Sequence, residues 1–252
     1  MGLETRGEAA SAAFQEARRE TVRYHEELYS AVTLGQPGTW LAKPHRLLSA
    51  AVALLAPRHP VVAYDLGAGV GRHTIPLLRA LPERSTVYAV DLLPSAVESL
   101  ATSVPADVRS MLKTRAADLA DFEFEEPADL ILAFSAIEHL PDLAAIARLL
   151  ERGRRALNPG GVVAIGVVAD RYETDDHGRR RPALLESAIT ADQAIEVLQS
   201  AFDGFEVAEQ VSRPARVREE RGEEGYTLAS TLVTFLAKRA QEKTPRAAAL
   251  PA

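Results

Sequence analysis

The stretch that decides the fold is YDLGAGVGRHT, residues 64–74, in which an acid, three glycines at alternate positions and a basic residue follow the apolar run PVVAYD (60–65). An apolar run that breaks into glycines and resumes with a helical period marks a strand turning into a helix. The same alternation repeats downstream. TVYAVD (86–91), MLKTRA (111–116), ADLILAF (128–134) and GVVAIGVV (161–168) read as strands, mostly continuous apolar runs of the kind buried on both faces of a parallel sheet. Helical patterns separate them at 72–80, at 94–103 with Pro94 in the first turn, and at 142–157 with Leu143, Ile146, Leu149 and Leu150 inward. Strand and helix alternate, so the class is α/β with a doubly wound sheet.

The flanks have a different character. Residues 8–31 contain few breakers, and Phe14, Ala17, Thr21, Tyr24 and Leu28 recur at helical spacing. TLGQPGTWLAKPH (33–45) interrupts that helix, and RLLSAAVALLA (46–56) forms a short apolar one stopped by Pro57. After the fifth strand, ADRYETDDHGRRRPALLESA (169–188) reads as an irregular polar insertion. Thr190 and Gln193 then form a capping-box pattern that opens a helix to about Phe202. FEVAEQVSRPARV (205–217) and YTLASTLVTFLAK (226–238) flank the charged REERGEEG and suggest an antiparallel hairpin. The expected organisation is a helical lid segment at 1–45, a core at 46–240 carrying a substrate insertion at 169–188, and a flexible tail at 241–252.

Composition narrows the chemistry. At 252 residues, 47% hydrophobic and 25% charged, the chain fits one soluble globular domain. Its start carries charges throughout and no apolar core of a signal peptide, and no apolar run is long enough to span a bilayer. A cytoplasmic protein with no membrane partner is expected. The absence of cysteine excludes disulfides, thiolate nucleophiles and cysteine metal sites. A net charge of −6 argues against general affinity for nucleic acid.

The glycines fall just after the first strand, where a doubly wound sheet binds its ligand. A dinucleotide fingerprint counted from Gly67 would need a glycine where Arg72 stands, and a phosphate-binding P-loop would need Lys followed by Ser or Thr. Instead Asp65 to Gly71 reads D-x-G-x-G-x-G, which resembles the first motif of class I S-adenosylmethionine-dependent methyltransferases. The resemblance covers residues 60–168, and the terminal hairpin is similar to that family's sixth and seventh strands. It implies a Rossmann-like, seven-stranded sheet, mostly parallel with a terminal antiparallel hairpin.

It also implies roles. Gly67, Gly69 and Gly71 would bring the main chain against the cofactor, with Asp65 facing its methionine end. Asp91, with Leu92 beside it, would accept the ribose hydroxyls, as a charged acceptor does well. Asp118 and Leu119, in RAADLAD, would take the adenine amino group and frame the ring. Ser135 would leave the fourth strand beside the methionine portion, and LNPGGVVAI resembles the turn into strand five. Plainer readings stand beside these: Asp91 as a helix cap, Asp118 as a turn residue.

Methyl transfer from a sulfonium asks the protein for geometry, water exclusion and, for a protonated acceptor, a base. His139, in SAIEHLPD at the mouth of strand four, is the candidate base; otherwise it packs against the glycine loop. Some relatives use E-x-x-E-H as metal ligands, but Ser135 occupies the first position, so no metal is expected, and FSAI lacks the aromatic step of amino-directed nucleic-acid methylation. Tyr24, His25, Tyr29, the Trp40–His45 turn, Arg171, Tyr172, His177 and Arg179–Arg181 are candidates for acceptor recognition, the arginine run being either a solvated surface or a lid that pairs with an anion. Trp40 either covers the sulfonium or pins the helix to the core. The tail GYTLASTLVTFLAKR is similar, loosely, to that of tellurite-resistance-type methyltransferases. The expected activity is transfer to a small molecule by a monomer or homodimer. A protein or RNA methyltransferase and a non-catalytic cofactor-binding regulator are the alternatives.

Overall fold

The apolar runs become neighbouring strands of one sheet in the computed structural model, which describes residues 4–56, 59–183, 185–221 and 224–241. In chain order these are β1 (Val62–Leu66), β2 (Thr86–Asp91), β3 (Leu112–Ala116), β4 (Ala128–Phe134) and β5 (Leu157–Asp175), then β6 (Arg180–Pro182), β7 (Glu206–Arg221) and β8 (Glu224–Lys238). The order across the sheet is β3-β2-β1-β4-β5-β8-β7, with β6 paired to β5 off this path. β1 to β5 run parallel, and β8 and β7 are antiparallel. The expected seven-stranded path is present, and β6 is an eighth strand beside it.

Winding on both faces follows from the period of two in the strands. In β4, Leu130 and Leu132 pack with Leu47, Leu48 and Ala51 of α2 (Leu47–Leu55), Leu77 and Leu78 of α3 (Thr74–Ala80) and Leu100 of α4 (Pro94–Ser103). Their neighbours Ile131 and Ala133 face the other way, toward Ile146, Leu149 and Leu150 of α5 (Leu143–Ala156) and Leu198 of α6 (Ala191–Ala201). Burying each leucine contributes roughly 1.5–3 kcal/mol. The sheet order reverses between β1 and β4, so a crevice opens beyond the carboxyl ends of β1, β2 and β4. α1 (Glu4–Ala31) lies across it. No helix among the described residues is long and apolar enough to cross a membrane.

The segment 169–188 departs from expectation. β5 continues to Asp175 through a register shift between Ala169 and Tyr172, where Asp170 adopts φ 51°, and pairs there with β8 on one side and β6 on the other. Partners on both edges satisfy its backbone, so polar side chains do not prevent strand formation. The charged segment before β8 is likewise mostly strand. α2 ends in a left-handed cap at Ala56, whose N–H donates to the Val52 carbonyl; the stop at Pro57 and the tail 242–252 lie outside the described residues.

Asp65 joins β1 to α3. Its carboxylate is buried and accepts a 2.6 Å hydrogen bond from the Thr74 hydroxyl, while Oδ1 has no partner among the described residues. Burial, with Asp91 nearby, pushes its pKa up to about 6 despite the Thr74 bond. The unfolded state therefore loses this proton first as pH rises, and stability falls between about pH 4 and pH 6. Relative to Asp65→Asn, the wild type loses about 2 kcal/mol between pH 4 and pH 7 in urea titrations; a pH-independent difference would contradict this burial. At α6, where Thr190 and Gln193 complete the capping box, Thr190→Ala lowers stability by about 1 kcal/mol and Thr190→Ser restores most of it.

Candidate cofactor and acceptor site

The glycine loop is held by the end of β2. Gly67 and Ala68 N–H both donate to the Val90 carbonyl, at 2.8 and 3.0 Å, and Gly69 N–H donates to Asp91 Oδ2 at 2.7 Å. Gly71 N–H donates back to Ala68 at 3.0 Å. These donors are spent inside the protein, so the loop does not offer the nest of free N–H groups that cradles a phosphate. Its glycines answer to close approach. Gly67 (φ 77°) would place a β-carbon 2.5 Å from Ala136 Cβ, and Gly69 (φ 51°) would place one 2.5 Å from the Tyr29 hydroxyl.

Two carboxylates stand at neighbouring strand ends. Asp91 also accepts from Leu93 N–H at 2.9 Å, through Oδ1, so each of its oxygens holds one backbone donor and keeps a lone pair for another. Asp118 accepts from Ala120 N–H at 2.9 Å and from Arg18 of α1 at 2.5 and 3.3 Å. Burial pushes the Asp118 pKa up, but Arg18 and that N–H outweigh it and hold it below the usual range.

These groups share one cavity of 410 Å³. Gly67, Asp91, Leu92, Asp118, Leu119, Ser135 and His139 line it. Asp65, Gly69 and Gly71 do not. Asp65 is turned away onto Thr74, Gly69 is covered by Tyr29, and Gly71 is packed against Leu100 and Ile75. Ser135 holds φ 53°, an uncommon conformation for a residue with a side chain and one that clusters at functional sites, with its N–H on the Gly166 carbonyl.

The roof is α1, through Arg18, Val22, His25 and Tyr29, a stripe adjacent to the one read from sequence, and through Thr21 of that sequence-read stripe. Trp40 lines the cavity and also packs edge-on to Tyr29, with Arg72 over its face at 5.5 Å. Burial, then the charge of Arg72, lowers the pKa of His45 to about 4 and of His73 to about 3, so both imidazoles flanking Phe134 are neutral. At the far end His139 lies beside Glu186, Glu138 and Arg171, and the wall is Leu228, Ser230 and Leu232 of β8 with Ala215 and Val217 of β7. The arginine run stays outside: Arg179 pairs with Asp175 at 2.8 Å and Arg180 stacks on Tyr172 at 3.7 Å. Sequence reasoning missed Arg18, Arg72, Glu186 and the hairpin wall. Only Arg18 carried a signal, standing at helical spacing from His25 and Tyr29.

The donor and acceptor set fits an adenosine cofactor: a carboxylate with open lone pairs on β2, a second after β3, and a glycine approach that a β-carbon would fill. Comparisons with known proteins agree. Residues 64–163 match a methyltransferase domain family. Trans-aconitate 2-methyltransferase of Methylobacterium nodulans is 32% identical over 135 residues, 54% of this chain and 47% of that protein. The chain therefore spans about half the length of that relative. Among solved structures, TehB from Haemophilus influenzae superposes with a TM-score of 0.59 at 16% identity, over 77% of this chain and 62% of that one. The N-methyltransferase NodS from Bradyrhizobium japonicum, in complex with S-adenosyl-L-homocysteine, does so at 0.52 and 17%, over 90% and 98%. Residues 64–163 are thus similar to a methyltransferase domain, and the chain shares the fold of TehB and NodS.

Proposed function

We propose that the chain transfers a methyl group from S-adenosylmethionine to a small molecule by in-line displacement. One observation carries the reading: the strand-end carboxylates of Asp91 and Asp118 and the imidazole of His139 line the same 410 Å³ cavity, beneath a helix of the same chain. When bound, the cofactor supplies a methyl carbon on a positively charged sulfur, an electrophile that needs no further activation. Asp91 would accept the ribose hydroxyls and Asp118 the adenine amino group, with Leu92, Leu119 and Gly67 lining the pocket. α1 keeps water out, which strengthens the electrostatic contacts inside. His139 removes the acceptor's proton.

A small acceptor is favoured because α1 closes the cleft that a protein or RNA chain would have to enter, and because the net charge of −6 opposes a polyanion. The cytoplasmic setting belongs to the same proposal and rests on composition. A regulator that binds the nucleoside without using it has no need of imidazoles in the cavity, whereas His25, His45 and His139 all line this one.

Asp91→Ala weakens S-adenosylhomocysteine binding in calorimetry by about 1–3 kcal/mol, the loss of a charged acceptor; unchanged affinity would count against the site. His139→Ala retains that affinity and slows transfer to a methyl acceptor found by mass-spectrometric profiling of a metabolite pool. Normal turnover in the variant would remove His139 from the mechanism.

A further inference from the structure

Two cavities meet at a pair of histidines. His25 of α1 and His139, in the turn after β4, line both the 410 Å³ cavity and a second one of 110 Å³. The second is bounded by α1 on one side and by β5 and β8 on the other; Tyr24, Tyr226, Leu185 and Leu228 give it an aromatic and apolar part, and Glu20, Glu27, Glu173, Arg23 and Arg171 a charged one. The two imidazoles stand edge to face, 6.0 Å between centroids at 89°.

Each ring has one nitrogen facing an oxygen. His25 Nδ1 is 2.8 Å from the Thr21 carbonyl, which can only accept, so Nδ1 carries the hydrogen and Nε2 keeps its lone pair. His139 Nδ1 lies 3.2 Å from Glu186 Oε2, and the Glu186 side chain is 1% exposed. Both atoms are buried and neither completes an aligned hydrogen bond. Such catalytic contacts are often loose before a ligand is bound and tighten in the complex. A buried carboxylate at this nitrogen fixes the tautomer with Nε2 bare and stabilises the imidazolium that forms when Nε2 takes a proton.

The surrounding charges decide what can enter. Glu138, buried beside His139, accepts from Val168 N–H through Oε1 and has no partner at Oε2 among the described residues. Asp91 acts on His25 through space, and Arg171 is the nearby cation, its Nη2 turned to the carbonyls of Glu138 and Ser187. The smaller cavity adds Glu20, Glu27 and Glu173 against Arg23, which is itself bonded to Glu20 and Glu27. Carboxylates therefore outnumber guanidinium groups around the two imidazole lone pairs, which favours a neutral hydrogen-bond donor and disfavours an anion.

We propose that His25, His139 and Glu186 form the acceptor site, that the acceptor is a neutral hydroxyl on an aromatic body, and that it enters through the smaller cavity. This rests on the methyl-transfer reading above. The hydroxyl oxygen forms the bond to the methyl carbon while the carbon–sulfur pair returns to sulfur, leaving a neutral thioether. The O–H bond breaks, its proton passing to His139 Nε2 and then to water. Glu186 is a positioning residue that acts through His139, and His25 binds the acceptor. The relative acting on trans-aconitate matches this chain over less than half of its own length.

The test uses the full chain saturated with S-adenosylhomocysteine, with 4-nitrophenol as the probe and 4-nitrobenzoate as its anionic counterpart. The expected result is that 4-nitrophenol binds at least tenfold more tightly than 4-nitrobenzoate and, below the pH at which it ionises in water, shows phenolate absorbance on the protein. Glu186→Gln lowers the bound phenolate fraction about tenfold, Glu186→Asp restores part of it, and His25→Phe weakens binding of the probe. Preference for the benzoate, no phenol binding, or an unchanged phenolate signal in a folded Glu186→Gln protein would overturn the proposal. If the Gln variant does not fold, the phenol-to-benzoate ratio on the wild type decides alone. Failure of S-adenosylhomocysteine itself to bind would instead bring down the methyl-transfer reading.

Discussion

The grip of the end of β2 on the glycine loop is the constraint from which the rest of the site follows. Asp91 Oδ2 holds Gly69 N–H, its Oδ1 holds Leu93 N–H, and the Val90 carbonyl holds the two N–H groups before Gly69. Hydrogen bonds to a carboxylate are among the stronger ones a protein makes. They draw the loop down onto the sheet and leave the floor of the crevice open. They also consume the donors a phosphate would need, so the three glycines here serve close packing. What remains for a ligand is acceptor capacity, which suits ribose hydroxyls and an adenine amino group.

The roof obeys a related logic. α1 crosses the crevice with a polar stripe inward because its counterpart is a row of strand ends carrying charge. Arg18 sits on Asp118, two residues that are each partly exposed, so the pair is worth little to stability and readily exchanged. Tyr29 covers Gly69, and burial pushes its phenol pKa above the ordinary tyrosine range, so it stays neutral. A cofactor entering beneath α1 therefore competes with the protein's own donors.

Much of the fold was legible because continuous apolar runs announce strands buried on both faces; β2 and β4 begin and end where the sequence places them. The extension of β5 was not legible, since Tyr172–Asp175 are polar and owe their strand geometry to β6 and β8, partners that a local reading does not see. The cavity residues divide in the same way. Asp91 and Asp118 could be read because strand ends position them. Glu186 could not, because its meaning lies entirely in contact with His139, and nothing in LLESA marks it. Asp65, Gly69 and Gly71 were read as ligand-facing because motif spacing reports which residues build a loop and is silent on which way each one points.

The central claim is that Asp91 and Asp118 hold an adenosine in the cavity that His139 also lines. A crystal structure of the chain with S-adenosylhomocysteine tests it most directly. The account predicts both ribose hydroxyls on the Asp91 carboxylate, the adenine amino group on Asp118 with Arg18 displaced, and the sulfur turned toward His139. A nucleoside bound elsewhere, or an Asp91 carboxylate touching only its two backbone donors, would contradict it.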